Sequence, residues 1–442
     1  MTDILNQHNL PIKLSLPITA QLEITDYCNF RCRHCYLLDS CNRKQSKEDY
    51  NKVMRTAELL AENKVFNVIL TGGEPLSRPR LLKDLICYLT NHNVNVGVNT
   101  NLSLLTPEIL DTFEKYKIRS ILVSCPSGIK SEYEQLTGLE SGFEKFEANI
   151  KALAESELRF SVNMVVTKEN KNSIIQTAEF LKSCGVNSFA ATPMSLNPLY
   201  PRQDLLLSYD EIKRMLADLV HIEKEIGMSI DVMEALPHCA IPEQLIRDGY
   251  YFTNRKCQAG ITVIAVSKNG DVRPCTHNVD SYGNLLQDDL REIWKRMEKW
   301  RDLSLIPEKC KQCSLLARCH GGCRVNAKTY TGQWDGEDVW MQHPVTASIE
   351  KSLGASPQLT IDTVIRASKG LKHRDEGNGY TLVCVRNPRQ VALVSNEVYR
   401  LLCVIGQEPL SLGQALGITT ITPELKKILR HLIERQIIEF VN

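Results

Sequence analysis

Hydrophobic positions between residues 16 and 230 follow two alternating periods. Short aliphatic and β-branched runs have the form of buried strands, and each precedes a stretch whose apolar residues recur three and four positions apart, as in an amphipathic helix. Six such pairs occur, with strands predicted at 21–25, 67–70, 95–100, 120–124, 159–166 and 188–192. The alternation predicts an α/β domain with a parallel sheet covered by helices. A partial barrel and a doubly wound sheet both fit, and in either one ligands bind at the carboxyl ends of the strands.

The pattern changes twice towards the carboxyl terminus. Residues 231–345 contain few helical stretches and are rich in cysteine, glycine and proline, whereas residues 346–364 form a polar stretch typical of a linker. Residues 365–442 predict a winged-helix-like α+β domain, with a hairpin, three helices and a closing strand. Ser411 and Thr422 are the expected N-caps of two of these helices. Residues 1–15 are predicted to be an N-terminal tail.

Composition and charge argue against several classes of function. The chain has 442 residues, 43% hydrophobic and 24% charged, which is ordinary for a globular protein of two or three domains. A net charge of +1 argues against a global electrostatic role on nucleic acid or an anionic membrane. The first residues lack the pattern of a secretory signal, and no apolar run reaches the roughly 18 residues of a membrane helix. We therefore expect a cytoplasmic protein with neither nucleic acid nor membrane as a partner.

Sixteen cysteines are unusual for such a chain. In a reducing compartment, clustered cysteines indicate metal or redox chemistry rather than disulfides. Five cysteines stand singly in apolar segments and are predicted to be small buried hydrophobes: Cys87, Cys125, Cys184, Cys384 and Cys403. Nine others fall into two groups, three at 28–35 and six between 257 and 323. The roles of Cys41 and Cys239 stay open.

The first group follows the first predicted strand as a C-x3-C-x2-C motif, formed by Cys28, Cys32 and Cys35. Three thiolates can bind three irons of a cubane cluster and leave the fourth iron open to an exogenous ligand. The alternative is a zinc site completed by Cys41 or His34. The motif TGGEP at 71–75 follows the second predicted strand, at the same strand ends. Its glycines permit close backbone approach and Glu74 offers a carboxylate to an ammonium group, which favours the cluster.

CNFRCRHC followed by TGGEP resembles the radical S-adenosylmethionine (SAM) superfamily. The resemblance implies a partial (β/α)6, TIM-like barrel. It also implies a [4Fe–4S] cluster on the three cysteines, with the open iron chelated by the amino and carboxylate groups of SAM. Five residues would contact SAM: His34 beside the adenine, Gly72, Gly73 and Glu74 at the amino group, and Ser124 after the fourth strand. The next residues, Cys-Pro-Ser, differ from the Leu-Asp-Gly usual in the sulfatase-maturing branch, so the substrate of that branch is not carried over.

The second cysteine group has the spacing C-x12-G-x4-C, followed by C-x2-C-x5-C-x3-C. Two zinc ions in a knuckle are one interpretation. The spacing also resembles the SPASM domain, which adds auxiliary iron–sulfur clusters to radical SAM enzymes. The resemblance implies two sets of ligands: Cys257, Cys275 and Cys323 for the first auxiliary cluster, and Cys310, Cys313 and Cys319 for the second.

The fourth ligands of the auxiliary clusters are not evident from the sequence. A seventh cysteine, which the SPASM pattern places soon after Cys323, is missing. Asp335, Asp338 or His343 could replace it on the second cluster. Cys239 could complete the first cluster, which could also keep an open site.

The C-terminal segment has two interpretations. Residues 366–442 carry 11 Lys+Arg against 7 Asp+Glu, so a zinc-bearing, winged-helix DNA-binding regulator is one of them. The segment also resembles the peptide-recognition element typified by the small peptide chaperone of pyrroloquinoline quinone biosynthesis. Such elements bind the leader of a precursor peptide as an added strand on an exposed sheet edge. Fusion to a SPASM-type enzyme favours peptide recognition.

Together these resemblances imply a maturase of a ribosomally synthesised precursor peptide. The reduced cluster would cleave SAM to methionine and a 5′-deoxyadenosyl radical, which abstracts hydrogen from an unactivated C–H bond. A reductant such as flavodoxin or ferredoxin would supply the electron. Two auxiliary clusters favour a C–C or C–S cross-link over epimerisation or excision, because a net oxidation releases a second electron. The other enzymes that fit are a maturase of a folded protein and a tetrapyrrole-pathway enzyme.

Overall fold

The computed structural model describes residues 14–37, 47–118, 120–345, 358–377, 379–385 and 390–441. Cys41 and most of the predicted tail lie outside the described residues, as does much of the predicted linker. The chain forms two compact units: residues 16–350 are one, and residues 351–442 with residues 1–15 are the other. Among the described residues, no helix has both the length and the apolar character needed to cross a membrane.

A nine-stranded sheet organises the first unit. Its strands are β1 Thr19–Thr25, β2 Asn67–Gly72, β3 Asn95–Thr100, β4 Ile121–Ser124, β5 Phe160–Val166, β6 Ser188–Pro193, β7 Ser229–Asp231, β8 Val263–Val266 and β9 Val272–Arg273. They lie in the order β7-β6-β5-β4-β3-β2-β1-β8-β9, and only β9 is antiparallel to its neighbour. The six predicted strands are confirmed. They could be recognised because parallel strands buried on both faces are largely apolar runs. Strands β7 to β9 were not predicted: β7 and β9 have only three and two residues, and β8 lies in a segment without helical repeats.

Helices alternate with the strands and bury their apolar faces against them. Their bounds are α1 Lys47–Glu62, α2 Pro79–Asn91, α3 Pro107–Lys115, α4 Lys130–Thr137, α5 Gly142–Glu155, α6 Ile174–Ser183, α7 Tyr209–His221, α8 Glu243–Asp248, α9 Leu290–Arg296, α10 Leu316–Cys319 and α11 Arg324–Thr331. Helix α7 starts with a capping box, in which Ser208 and Glu211 each accept a backbone N–H of the other. The side chains between helices and sheet form one core, so the carboxyl ends of the strands have fixed positions.

The cysteine-rich segment of the first unit is held by tryptophan and arginine side chains rather than by long elements. The indole of Trp340 is buried and donates to the carbonyl oxygen of Leu207 at 2.9 Å. The buried Arg301 guanidinium lies 4.2 Å from the ring centroid of Trp294 and donates to two backbone carbonyls. These contacts give loops with little periodic structure a defined shape.

The second unit has its own hydrophobic core. Its elements are β10 Val364–Ala367, β11 Lys372–Gly377, β12 Tyr380–Val385, β13 Gln390–Ser395, α12 Asn396–Ile405, β14 Leu410–Ser411, α13 Leu412–Leu416, α14 Pro423–Glu434 and β15 Ile438–Phe440. They form two three-stranded antiparallel sheets, β14-β10-β15 and β11-β12-β13, with three helices. The predicted hairpin is confirmed as β12 and β13. The side chains of Ser411 and Thr422 cap α13 and α14 as predicted.

The prediction for the single cysteines is right in three cases. Cys125, Cys184 and Cys384 are buried. Cys87 is only half-buried, and Cys403 is exposed, so for these two the prediction is wrong. On α12 the buried positions are Val398, Leu402 and Ile405, and Cys403 falls outside that face.

Candidate active site and metal centres

The first cysteine group lies on the loop that leaves the carboxyl end of β1. Cys28, Cys32 and Cys35 are all half-buried. The loop folds around its own sulfur atoms: the N–H groups of Phe30 and Leu37 donate to the Sγ atoms of Cys28 and Cys35, both at 3.4 Å. Hydrogen bonds of this kind stabilise thiolates and tune the reduction potential of a bound cluster. The three thiols therefore lie where a metal cluster could be held at the edge of the sheet.

The TGGEP motif holds this cysteine loop against the sheet. The N–H of Gly73 donates to the carbonyl oxygen of Thr25, and the N–H of Glu74 donates to that of Tyr27, both at 2.7 Å. A Cβ atom on Gly73 would overlap the carbonyl oxygen of Tyr27, and one on Gly72 would overlap that of Thr25. Gly72 also has a φ of +115°. The glycines are therefore needed for the approach of β2 to the cysteine loop, a role separate from the predicted contact with SAM.

We expect Gly73→Ala to displace the cysteine loop, because its neighbour is rigid backbone rather than a flexible side chain. Overpacking of this kind costs about 1–3 kcal/mol of folding free energy. The measurements are the midpoint temperature of thermal unfolding and the iron content after anaerobic reconstitution, and both should fall. Gly413→Ala is the matched control, since its new Cβ would meet nothing closer than 3.2 Å. Equal effects of the two substitutions would contradict the close-approach argument.

Glu74 is buried and links the cysteine loop to β3. Its carboxylate accepts hydrogen bonds from the hydroxyl of Thr100 at 2.6 Å and from the N–H groups of Leu76 and Asn101 at 2.9 and 2.7 Å. Burial raises the pKa of Glu74 to about 7, although these donors oppose the shift. The amide of Asn101 in turn donates to Cys28 Sγ at 3.7 Å and to Asn29 at 3.0 Å. Thr100 and Asn101 were not predicted, although a polar pair at the end of a buried strand is a usable signal.

The other predicted SAM contacts lie at the same edge of the sheet. His34 belongs to the cysteine loop, and burial lowers the pKa of its imidazole to about 4, so the ring is neutral at pH 7. Ser124 is the last residue of β4 and is exposed. Strands β2 and β3 separate β1 from β4 in the sheet, so these two residues are at the carboxyl ends of strands that are not neighbours. Their contact with SAM stays a prediction.

The structure brings the first auxiliary group together. Burial raises the pKa of Cys257, Cys275 and Cys323, that of Cys275 to about 12, and negative charge on neighbouring members raises the pKa of Cys275 and Cys323 further. The carboxylate of Glu234 acts in the same direction on all three thiols, so it lies near them. Glu234 was not predicted, because a single acidic residue carries no spacing signal.

The second auxiliary group has a fourth thiol beside it. Cys310, Cys313 and Cys319 line one cavity with Cys239, which the sequence had associated with the first group. Asp338 is buried elsewhere, where its carboxylate accepts the N–H groups of Cys323 at 2.8 Å and Trp340 at 3.0 Å. Burial raises the pKa of Asp338 to about 7.

The two remaining candidates, Asp335 and His343, are exposed and do not line this cavity. No three His, Cys, Asp or Glu side chains in the described ranges are arranged to hold a single metal ion. A cubane spaces its ligands more widely than a single ion does, because each thiolate binds a different iron.

Comparison with known proteins agrees with this arrangement. The sequence model of the radical SAM superfamily matches residues 22–181, and that of the SPASM iron–sulfur cluster-binding domain matches residues 257–319. The AdoMet-dependent heme synthase of Methanosarcina barkeri is 26% identical over 331 residues, which cover 72% of this chain and 94% of that enzyme. The subtilosin biosynthesis protein AlbA of Bacillus subtilis is 27% identical over 321 residues, covering 70% and 67% of the two chains.

A solved structure shows the same fold. SuiB of Streptococcus suis, bound to S-adenosylmethionine, superimposes with a TM-score of 0.59 at 21% identity, over 75% of this chain and 78% of that chain. The predicted resemblance to radical SAM enzymes with a SPASM domain is confirmed, and so is the fold class. The resemblance of the C-terminal segment to a peptide-recognition element stays a prediction. The predicted cofactors, a [4Fe–4S] cluster with SAM and auxiliary iron–sulfur clusters, are confirmed as well.

Proposed function

We propose that this chain, an enzyme that belongs to the radical SAM superfamily and carries a SPASM iron–sulfur domain, modifies a ribosomally synthesised precursor peptide. The observation that carries the proposal is the separate second unit, in whose described part β11 and β13 each pair on one side only. Such an edge can take up a peptide as an added strand. Two similar proteins support a peptide substrate: AlbA is named for bacteriocin biosynthesis, and SuiB has been crystallised with its precursor peptide SuiA.

In this proposal, Cys28, Cys32 and Cys35 hold the cluster that SAM chelates. Once loaded, that centre supplies reductive cleavage of SAM to methionine and a 5′-deoxyadenosyl group. An ionised carboxylate has about four lone-pair sites, and Glu74 uses three of them on Thr100, Leu76 and Asn101. The remaining site is on Oε2, where the amino group of SAM would bind together with the backbone of Gly72 and Gly73. Neutral His34 would pack beside the adenine and Ser124 would complete the pocket.

The product we propose is a C–C or C–S cross-link between side chains of the core peptide. Formation of such a bond removes two hydrogens from the peptide. One leaves as an atom to the 5′-deoxyadenosyl group, and the other leaves as a proton while its electron passes to an auxiliary cluster. Cys257, Cys275 and Cys323 would hold the first of these clusters, and Cys310, Cys313 and Cys319 the second. A flavodoxin- or ferredoxin-type reductant would supply the electron for SAM cleavage.

We expect the anaerobic enzyme, with reductant and SAM, to lower the mass of its precursor peptide by about two hydrogens per cross-link. Candidates for the precursor are the peptides encoded by any short reading frames beside this gene. High-resolution and tandem mass spectrometry would measure the loss and locate the bond. The same core without its leader is the control and should be modified far more slowly. A product of unchanged mass would contradict the cross-link, and deuterium gained at a Cα from heavy water would indicate epimerisation instead.

A tetrapyrrole-pathway enzyme is a second candidate, favoured by the similarity to heme synthase. That match spans 94% of the heme synthase but 72% of this chain, so this chain has residues without a counterpart there. A peptide-binding unit gives those residues a function, whereas a small tetrapyrrole does not require them. Turnover of a tetrapyrrole with no effect on any peptide would support the second candidate.

A further inference from the structure

The cavity beside α10 is lined by four thiols and otherwise mainly by apolar groups. The thiols are those of Cys239, Cys310, Cys313 and Cys319. The apolar lining includes Pro237, Leu315, Leu316 and Met341. Ionising four thiols that face one apolar space costs free energy, unless metal cations compensate the charge of the thiolates.

The local backbone fixes Cys239 in this position. Cys239 lies in a short 3-10 turn over His238–Ala240, and the N–H of His238 donates to Cys319 Sγ at 3.2 Å. The N–H of Gln342 donates to Cys239 Sγ, also at 3.2 Å. The imidazole of His238 is buried against the carbonyl oxygen of Thr253 at 2.6 Å, which anchors the turn. Two of the four sulfur atoms thus accept an amide hydrogen bond, as sulfur ligands of iron–sulfur clusters commonly do.

The four cysteines line the same cavity, as ligands of one cluster must. Cys310 Sγ lies 3.7 Å from the sulfur of Met341, another residue of that lining. By contrast, the oxygens of Asp338 are occupied by two backbone donors beside Cys323.

We infer that Cys239 is the fourth ligand of the second auxiliary cluster, in place of the missing seventh cysteine of the SPASM domain. The inference rests on the proposed assignment of Cys310, Cys313 and Cys319 to that cluster. A ligand from the start of the cysteine-rich segment, shortly after β7, ties the end of the barrel to the later cysteines through iron. It also leaves the second cluster fully ligated by protein, so this cluster takes electrons and does not bind substrate.

The test compares the iron content and EPR spectra of single variants of the full chain after anaerobic reconstitution. Cys239→Ala should lose about four irons per chain, or give a new three-iron EPR signal, and Cys313→Ala should do the same. Cys87→Ala is the matched control, because Cys87 lies on α2 in neither group, and it should keep all its iron. Cys239→Ser should retain iron through its oxygen and shift the EPR spectrum and midpoint potential of one cluster.

Wild-type iron and spectra in Cys239→Ala, with loss in Cys313→Ala, would overturn the inference and leave another fourth ligand. Wild-type iron in both variants would overturn the assignment on which the inference rests. If Cys239→Ala loses all three clusters by unfolding, Cys239→Ser decides the question. An unchanged spectrum and potential in that variant would then overturn the inference.

Discussion

Replacing Cys28, Cys32 and Cys35 together by alanine is expected to abolish SAM cleavage and to leave the auxiliary iron bound. The three thiols lie on one loop after β1, whose contacts include the TGGEP motif and the end of β3. The six cysteines of the second group lie on other segments of the same unit, between residues 257 and 323. Iron should fall from about twelve to about eight atoms per chain, and 5′-deoxyadenosine measured by chromatography should fall to background.

The matched variant changes the second auxiliary set instead. Cys310, Cys313 and Cys319 replaced by alanine should lose a similar amount of iron while 5′-deoxyadenosine still forms without peptide. The two triple variants together separate loss of the radical centre from general damage to iron loading. Cleavage of SAM that survives the first triple change would show that the loop after β1 does not hold the radical centre.

The sheet could be predicted from the sequence because strands that are buried on both faces are continuous apolar runs. Strands such as β4 and β5 are mainly apolar and β-branched, and the apolar residues of the helices between them recur three and four positions apart. Strand β8 is as apolar, with the sequence VIAV, but it lies in a segment without helical repeats. Its place beside β1 is decided by parallel pairing over Thr19–Leu22, a long-range contact that no local pattern records.

Site residues could be predicted from the sequence where they form a motif with fixed spacing. They could not be predicted where the contacting residues come from distant parts of the chain. The cysteine motifs are visible because cluster ligands on one loop need fixed intervals. The donors to Glu74 come from the end of β3, and the thiol beside Cys310 comes from a turn far earlier in the chain. A lone cysteine in LPHC belongs to no spaced motif, so the sequence left the role of Cys239 open and offered it only as a possible ligand of the first cluster. Only the cavity places it with the second group.

Removal of residues 351–442 is expected to leave SAM cleavage intact and to uncouple it from modification of the peptide. The second unit has its own core, so the first unit should keep its fold and its iron. A leader bound through one added strand has a dissociation constant near micromolar, about −8 kcal/mol. Tethering raises the local concentration of the core to about millimolar, so modification at micromolar peptide should fall by about a hundredfold or more. Mass spectrometry of the peptide and chromatography of 5′-deoxyadenosine measure the two reactions separately.

The truncated enzyme should be impaired in binding its substrate and not in the reaction itself. A high concentration of peptide is therefore the control. Raising the peptide to millimolar concentration should restore modification by the truncated enzyme, because the reactive centre is unchanged and only the tether is missing. A labelled leader should bind the full chain and not the truncated one, and unlabelled leader should displace it where random duplex DNA does not. Full-rate modification by the truncated enzyme at micromolar peptide would contradict the role of the second unit in leader binding. Displacement by DNA would instead favour a nucleic-acid-binding unit, since a cationic winged helix binds the phosphate backbone without regard to the leader sequence.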